Sequence, residues 1–311
     1  MRISSANRSA RWVVWTSRER ISIVTSQRPP RVLFELDEVP LFSRSTVDRS
    51  SPVIAETPTK SGFWKSGHVL VVNANGKAPL TDEWTLALRP TAEFGDEPPE
   101  SAVLLGIEKG IDYWAVRAEH GQELADDTNW RDLRSAGAML NATDAGLFTT
   151  AVGLLSWHES AGFCARCGAA TFPVSSGWER RCTGCGRVEY PRTDPAVICL
   201  VHDDADHVLL ARQPTWPEDR FSILAGFVEM GESLEGCVRR EIHEEVGLHT
   251  HGVRYLGSQP WPFPRSLMLG FSAVADREQS IQHVDGEIAE AHWIPRDHVL
   301  KALHADGDSV D

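Results

Sequence analysis

The sequence predicts a fold of the α+β / α/β class: an α/β/α sandwich on a mixed sheet in the C-terminal part, preceded by a smaller mixed α/β domain. Three observations predict it. Short apolar runs bounded by turn residues recur in both halves of the chain, as strands do. One segment instead spaces Leu234, Val238, Ile242 and Val246 four apart, which gives a helix one apolar stripe. Between the halves lie two Cys-x-x-Cys pairs, which mark a small separate module. At 311 residues the chain is long enough for two domains and a sizeable core.

Residues 1–32 differ from the rest in composition. They hold seven arginines (Arg2, Arg8, Arg11, Arg18, Arg20, Arg28, Arg31), one acid (Glu19), many serines and Pro29-Pro30. The reading adopted is a disordered tail without a function of its own. A transit peptide, an RNA-binding arm or a start assigned too far upstream has the same composition. Residues 33–158 read as the N-terminal mixed α/β domain. Within it, residues 68–72 form a strand followed by a turn at Asn75-Gly76. Residues 102–106 and 113–116 pair around Gly110, and residues 95–100, with two prolines and three acids, make a surface loop. Residues 126–129 are a polar turn, and Thr143 caps a helix that runs to about Trp157. No catalytic motif and no repeat lies here, so the segment reads as a scaffold or dimerisation domain.

Cys164 and Cys167, then fourteen residues, then Cys182 and Cys185 come next. Two thiolates separated by two residues chelate one ion on a tight turn, and two such pairs complete a closed tetrahedral shell. A closed shell leaves no position for water, so the ion, Zn2+, is structural. A redox dithiol is the competing reading, but such sites carry one pair, not two. With Gly168 and Gly186 after the pairs, residues 159–189 resemble a zinc ribbon. A module this small does not fold on an apolar core alone, so metal supplies the missing stability. Arg166, Arg180, Arg181 and Arg187 suit either a nucleic-acid grip or a solvated surface. Cys199 and Cys237 stand alone, and the usage suits a reducing cytoplasm rather than a secreted disulfide framework.

Residues 190–311 read as the catalytic domain. Residues 196–201 and 208–211 are strands, and residues 221–225 form another that leads into a glycine-bearing loop, 226–231. Ser233 is placed to cap the helix that follows, and Gly247 stands where its end calls for a left-handed residue. Later strands fall at residues 267–275 and 290–294. On the helix, Glu241, Glu244 and Glu245 share a face at spacings of three and four. Carboxylates packed so closely repel one another, and a hard divalent cation, Mg2+ or Mn2+, relieves the repulsion. Such an ion serves hydrolysis of phosphate esters and pyrophosphates, because it withdraws charge from phosphate oxygens. On the carboxylates alone, a solvated acidic face is the competing reading.

Residues 258–266 read Ser-Gln-Pro-Trp-Pro-Phe-Pro-Arg-Ser. Three prolines at alternate positions should block a regular strand and hold a stiff extended loop. Trp261 and Phe263 on it are either buried plugs or stacking surfaces. Composition sets further bounds. Hydrophobic content of 41% and charged content of 24% are ordinary for a soluble domain. No apolar run approaches ~18–20 residues, so no membrane helix is expected. The net charge of −13, from 44 acids against 31 lysines and arginines, disfavours sequence-independent capture of nucleic acid. It leaves room for a nucleotide bridged through metal.

Gly226, Glu232 and the run from Arg240 to Leu248 resemble the Nudix box without departure. The SQPWPFPxS stretch, the ribbon, Phe163-Cys164 and Tyr190-Pro191-Arg192 together resemble the NADH pyrophosphatase (NudC-type) family. That resemblance covers roughly residues 140–300, with a fainter match back to about residue 33. It implies a homodimeric, metal-dependent enzyme that splits the pyrophosphate of NAD(H) into nicotinamide mononucleotide and AMP and removes NAD caps from RNA 5′ ends. By position, Glu241, Glu244 and Glu245 would hold the metals, with Glu229 a further ligand. Glu287 would contact metal and is the best candidate to orient the attacking water, with Glu245 the alternative. Arg240 would anchor the acidic helix by an ion pair. Phe227 matches the aromatic on which nicotinamide stacks, and Tyr190 its partner from the second subunit. Ser266 would lie near the phosphates, and Gln259, Trp261 and Phe263 complete the expected substrate-binding set. One departure is expected: the family continues past the last strand into a helix near the phosphates, whereas residues 304–311 read as a polar tail. Two other classes remain open, a broad hydrolase of ADP-ribose-type dinucleotides and a catalytically impaired nucleotide-binding module.

Overall fold

The computed structural model describes residues 33–49, 64–118, 129–283 and 286–307. The arginine-rich tail of residues 1–32 and residues 126–128 of the expected polar turn lie outside them. The N-terminal part is built on β1 (His68–Val72), β2 (Lys77–Pro79), β3 (Arg89–Pro90), β4 (Val103–Glu108), β5 (Ile111–Arg117) and β6 (Trp130–Asp132). Four of these form a sheet in the order β3-β1-β5-β4, with β1 and β5 parallel, while β2 pairs with β6. Side chains alternate across a strand, so Val69 and Val71 enter an apolar cluster around Trp64 and Trp114 on one face. Leu70 and Val72 enter the larger core on the other.

After a single turn of helix, α1 (Leu133–Ala136), the helix α2 (Ala142–Ser160) closes that larger core. Its cap differs from the expected one. Asn141, not Thr143, is the N-cap, its side chain accepting from the Asp144 amide at 2.9 Å. Thr143 is already helical, and its hydroxyl meets Thr46 at 2.7 Å and the Glu108 carboxylate. The ribbon follows as three antiparallel strands, β7 (Thr171–Val174), β8 (Glu179–Cys182) and β9 (Val188–Glu189).

The C-terminal sheet contains β10 (Asp194–His202), β11 (His207–Arg212), β12 (Leu224–Phe227), β13 (Thr250–Trp261), β14 (Ser266–Ala275) and β15 (Glu290–Pro295), with α3 (Leu234–Val246) between β12 and β13. Its order is β13-β14-β10-β11-β15, with β12 added beside β10. The β10–β14 pair is parallel and the others are antiparallel, so the sheet is mixed. Three expectations are corrected here. The strand before the glycine loop covers Leu224–Phe227 rather than residues 221–225. The proline stretch does not stop a strand at Ser258: β13 pairs with β14 through Pro260 and Trp261. It lies at the sheet edge, where a residue without an N–H leaves no neighbour unsatisfied. Finally, a helix does follow the last strand, α4 (Arg296–Gly307), with Asp297 in its first turn and Lys301 paired to it at 3.0 Å.

Trp261 and Phe263 leave the catalytic part and pack on the N-terminal core. Phe42 meets Trp261 with ring centroids 5.8 Å apart, and the Arg134 guanidinium sits 4.6 Å from the Phe263 ring. The ribbon is tied to α2 by His158. Arg180 donates to its Nδ1 at 2.8 Å, which leaves Nε2–H to donate to the Gly177 carbonyl at 2.7 Å.

Candidate active site

The four ribbon thiols converge. Their sulfurs lie within 4.8 Å of one another, with Cys164 and Cys185 3.7 Å apart and Cys167 and Cys182 3.4 Å apart. A tetrahedral zinc with Zn–S bonds of ~2.3 Å puts its sulfurs about 3.8 Å apart, so the donor set fits that ion. Gly168 and Gly186 take positive φ, +72° and +70°, which lets each knuckle turn back on itself. Backbone amides of Cys185 and Gly184 point at Cys182 Sγ and lower its pKa, favouring the thiolate a metal needs.

In the catalytic part, α3 begins at Ser233, whose hydroxyl accepts from the Gly236 amide at 3.1 Å. It ends at Gly247 in the left-handed conformation, φ +74°. Val238, Ile242 and Val246 are buried against the sheet. Each contributes about 1.5–3 kcal/mol by burial. A like-charged pair one turn apart costs only a few tenths, so the apolar stripe places the helix and the carboxylates must accept the result. Glu244 is exposed, Glu241 half-buried, and Glu245 turned inward to 3% exposure.

Gly226 has a role that its loop-like sequence context did not announce. A Cβ built there would lie 1.9 Å from the Glu241 carboxyl carbon. With glycine there, β12 passes directly against that carboxylate, and a side chain at this position would push the Glu241 carboxylate out of its place. The next residue, Phe227, presents a ring 60% exposed. Arg240 joins the Phe227 carbonyl to the Glu241 carboxylate, so the strand end and the carboxylate lie together. Burial raises the Glu241 pKa, and the charges of Glu244 and Glu287 raise it further while Arg240 opposes them. Glu287 thus joins the same field from the far side of the chain. Glu229, on the exposed loop after β12, donates its amide to Glu232 at 3.2 Å.

Arg240 binds the whole group. Its Nε and Nη2 donate to the two oxygens of Glu232, each at 2.9 Å. Its Nη1 reaches Glu241 at 3.0 Å and Glu244 at 2.9 Å, and Nη2 also reaches the Phe227 carbonyl at 3.0 Å. The expected ion pair is therefore present, with Glu232 as a bidentate partner that the sequence had marked only as a box position. The guanidinium holds the Glu232 carboxyl down to about 2. Among the described residues, the helix carboxylates are not gathered as closely as the thiols. Oxygen donors of this type nevertheless suit Mg2+ or Mn2+.

The remaining expected residues fall into two groups. Tyr190 is 61% exposed beyond the ribbon, and within one chain it makes no ring contact with Phe227 among the described residues. Ser266 is buried at the start of β14, opposite Asp194 and Trp261. Gln259, Trp261 and Phe263 lie at the joint between the domains, the plug setting for the two rings. The Gln259 side-chain oxygen accepts from the Phe42 amide at 3.3 Å, and the two rings pack at the joint between the domains. The edge strand, extended through its prolines, directs them there.

Comparison with known proteins fits this arrangement. A NUDIX domain model matches residues 192–310, which sets the class as a Nudix hydrolase fold. The models for the NADH pyrophosphatase zinc ribbon domain and the NADH pyrophosphatase-like rudimentary NUDIX domain match residues 159–190 and 63–157. The chain is 48% identical over 276 residues, 88% of either chain, to the NAD-capped RNA hydrolase NudC of Mycobacterium bovis. It is 36% identical to Nudix hydrolase 19, chloroplastic, of Arabidopsis thaliana, covering 81% of this chain and 65% of that one. It is 38% identical to the human NAD(P)H pyrophosphatase NUDT13, mitochondrial, covering 66% and 59%. The chain belongs to the NADH pyrophosphatase (NudC-type) family of Nudix hydrolases.

Two outcomes are expected. The purified chain carries zinc at a ratio of about one, and Cys182→Ser removes it and lowers the thermal midpoint by several degrees, read by metal analysis and calorimetry. Glu232→Gln loses about 1–3 kcal/mol of stability at pH 7 in urea unfolding, the range for hydrogen bonds to a charged group. Because the folded-state pKa of Glu232 is depressed, its contribution is present above the ordinary value of 4.5 and lost as pH falls toward about 2. The gap between variant and parent therefore narrows as pH is lowered from 5 to 3.

Proposed function

We propose that this chain hydrolyses the pyrophosphate of NAD(H), releasing nicotinamide mononucleotide and AMP, and acts likewise on NAD caps at RNA 5′ ends. The observation that carries the reading is the pairing of Gly226 and Phe227 on one strand end. One residue makes room for the Glu241 carboxylate and the next offers an open aromatic face. A flat ring, cationic in the oxidised cofactor, stacks on Phe227. Tyr190 of a second copy covers its other face, so the working unit is a homodimer. The likeness to the mycobacterial NAD-capped RNA hydrolase and the human NAD(P)H pyrophosphatase supports the substrate class, and the lone thiols support work in a reducing cytoplasm.

Glu241, Glu244, Glu245, Glu287 and Glu229 are the residues that would hold Mg2+ or Mn2+. Such an ion, when bound, withdraws charge from the pyrophosphate oxygens. Arg240 fixes Glu241 and Glu244 and neutralises part of their charge in its absence. Glu287, exposed beside this group, orients a water molecule and accepts its proton as the oxygen attacks phosphorus. The bridging P–O bond breaks and one mononucleotide leaves. Ser266, on β14 two strands from Phe227, stands near the phosphates.

Incubation of the pure protein with NADH and Mg2+ or Mn2+ should release the reduced mononucleotide and AMP. Glu244→Gln and Glu245→Gln should each lower turnover by at least ~100-fold, the range for an acid-base group or metal ligand. Turnover within a few-fold of the parent would remove both from the site. Phe227→Ala tests the ring slot separately: kcat/KM for NADH relative to ADP-ribose should fall about tenfold, as for one stacking contact. An unchanged ratio points to a broad dinucleotide hydrolase instead.

A further inference from the structure

We propose that the cleft between the N-terminal domain and the catalytic sheet receives the RNA chain behind the cap, a single-stranded phosphodiester held against Arg49, Arg192 and Arg265. This rests on the reading that a NAD-capped RNA is a substrate and extends it from the cap to the chain that follows.

A cavity of about 420 Å³ opens there, walled by α2 on one side and by the start of β10 and the β13–β14 turn on the other. Among the described residues, three guanidiniums line it and no carboxylate does, in a chain whose net charge is −13. Asp194, beside the cavity, pairs with both Arg192 and Arg265, at 3.2 and 2.7 Å. One carboxylate thus faces two cations. Arg49 donates to the Thr150 hydroxyl at 3.2 Å and has no carboxylate partner among the described residues. Arg49 is exposed at the edge of the cavity, open to an incoming anion. The Ser45 hydroxyl, also in the lining, is buried and has no hydrogen-bond partner among the described residues. Trp178 and Trp261 add aromatic surface, and Trp178 is braced by its indole N–H on the Leu104 carbonyl at 2.7 Å. Cations that track a backbone beside rings on which any base can stack are how single strands are bound without reading sequence.

Position argues the same way. Phe227 lies opposite Ala196, which lies opposite Met268, and Ser266 of the cavity wall is two residues further along. Two strand spacings of ~4.8 Å and two residues of ~3.3 Å put Ser266 about 12 Å from Phe227. Alternation puts both on the same face of the sheet. A dinucleotide stacked by one end on Phe227 brings its other end, the one that continues into RNA, to the mouth of the cleft. Local charge then does what the net charge of the chain opposes.

The test compares NADH with a NAD-capped RNA of about ten nucleotides, and measures binding of an uncapped fluorescent RNA of the same sequence by anisotropy. Arg49→Ala should raise KM for the capped RNA roughly fivefold, leave kcat and KM for NADH within twofold, and flatten the salt dependence of RNA binding by about 0.7 in log–log slope, as for one lost phosphate contact. Arg49→Lys should restore most of the binding. Equal losses on both substrates, no change on either, or a shift of Arg49→Ala from dimer to monomer would overturn the proposal, the last by giving the cleft to a second copy. If wild-type protein binds RNA through Arg49 yet leaves NADH intact, the hydrolase reading fails while the cleft stands.

Discussion

One guanidinium fixes the geometry on which the rest depends. Arg240 touches the loop through Glu232, the helix through Glu241 and Glu244, and the strand through the Phe227 carbonyl. These three elements meet nowhere else through so many polar contacts, and each carries part of the chemistry. A planar fork with several donors can satisfy four acceptors at once, whereas a lysine ammonium is a single point on a flexible stem. The fork therefore does two jobs. It lowers the repulsion that three carboxylates create on one short helix, and it fixes the Phe227 backbone relative to them. Catalysis on a flexible dinucleotide depends on such pre-set positions, because misplacement by about 1 Å can cost on the order of 100-fold.

The surrounding architecture protects that frame. Strand β13 is an edge strand that uses its prolines to stay extended, and the rings that follow it cross into the N-terminal core. Phe42 receives them, with its own amide held by Gln259 from 217 positions away. The ribbon is braced twice against the same domain, through His158 with Arg180 and through Trp178 with Leu104. Burial lowers the His158 pKa, so the neutral ring that accepts from Arg180 is the stable form near neutrality. Ribbon, N-terminal sheet and catalytic sheet are thereby linked by side chains whose polar atoms are used.

What was legible in the sequence was what local physics decides. The cap at Ser233, the stripe through Ile242 and the left-handed Gly247 are consequences of residues within one or two turns of each other. The paired cysteines are equally local, since two residues between thiols set the knuckle. The readings that changed are those in which a distant partner decides. Asn141 and Thr143 are both capping residues, and the choice fell to Asn141 because Thr143 is engaged by Thr46 and Glu108. The prolines looked strand-breaking because nothing nearby says that β13 lies at an edge. Gly226 looked like a loop glycine, but it lies in a strand, against a carboxylate fifteen positions on. Trp261 and Phe263 could be read from the residues either as plugs or as stacking surfaces, since Phe42 is invisible to any window around them.

A protein of net charge −13 that works on polyanions meets an apparent contradiction. Salt screening resolves much of it, because at physiological ionic strength charges further away than about 8 Å act weakly across solvent. What an approaching phosphate meets is then the sign of the nearest few groups. At α3 that sign is negative, and it favours a substrate only in company with a divalent cation. Across the sheet, around Asp194, it is positive, because two arginines share one carboxylate. On the proposed reading, a substrate with one end at Phe227 and its remainder extending over β10 and β14 passes from the first to the second. The acidic surface elsewhere then works as a filter: it offers no purchase to nucleic acid that lacks an end able to enter the site.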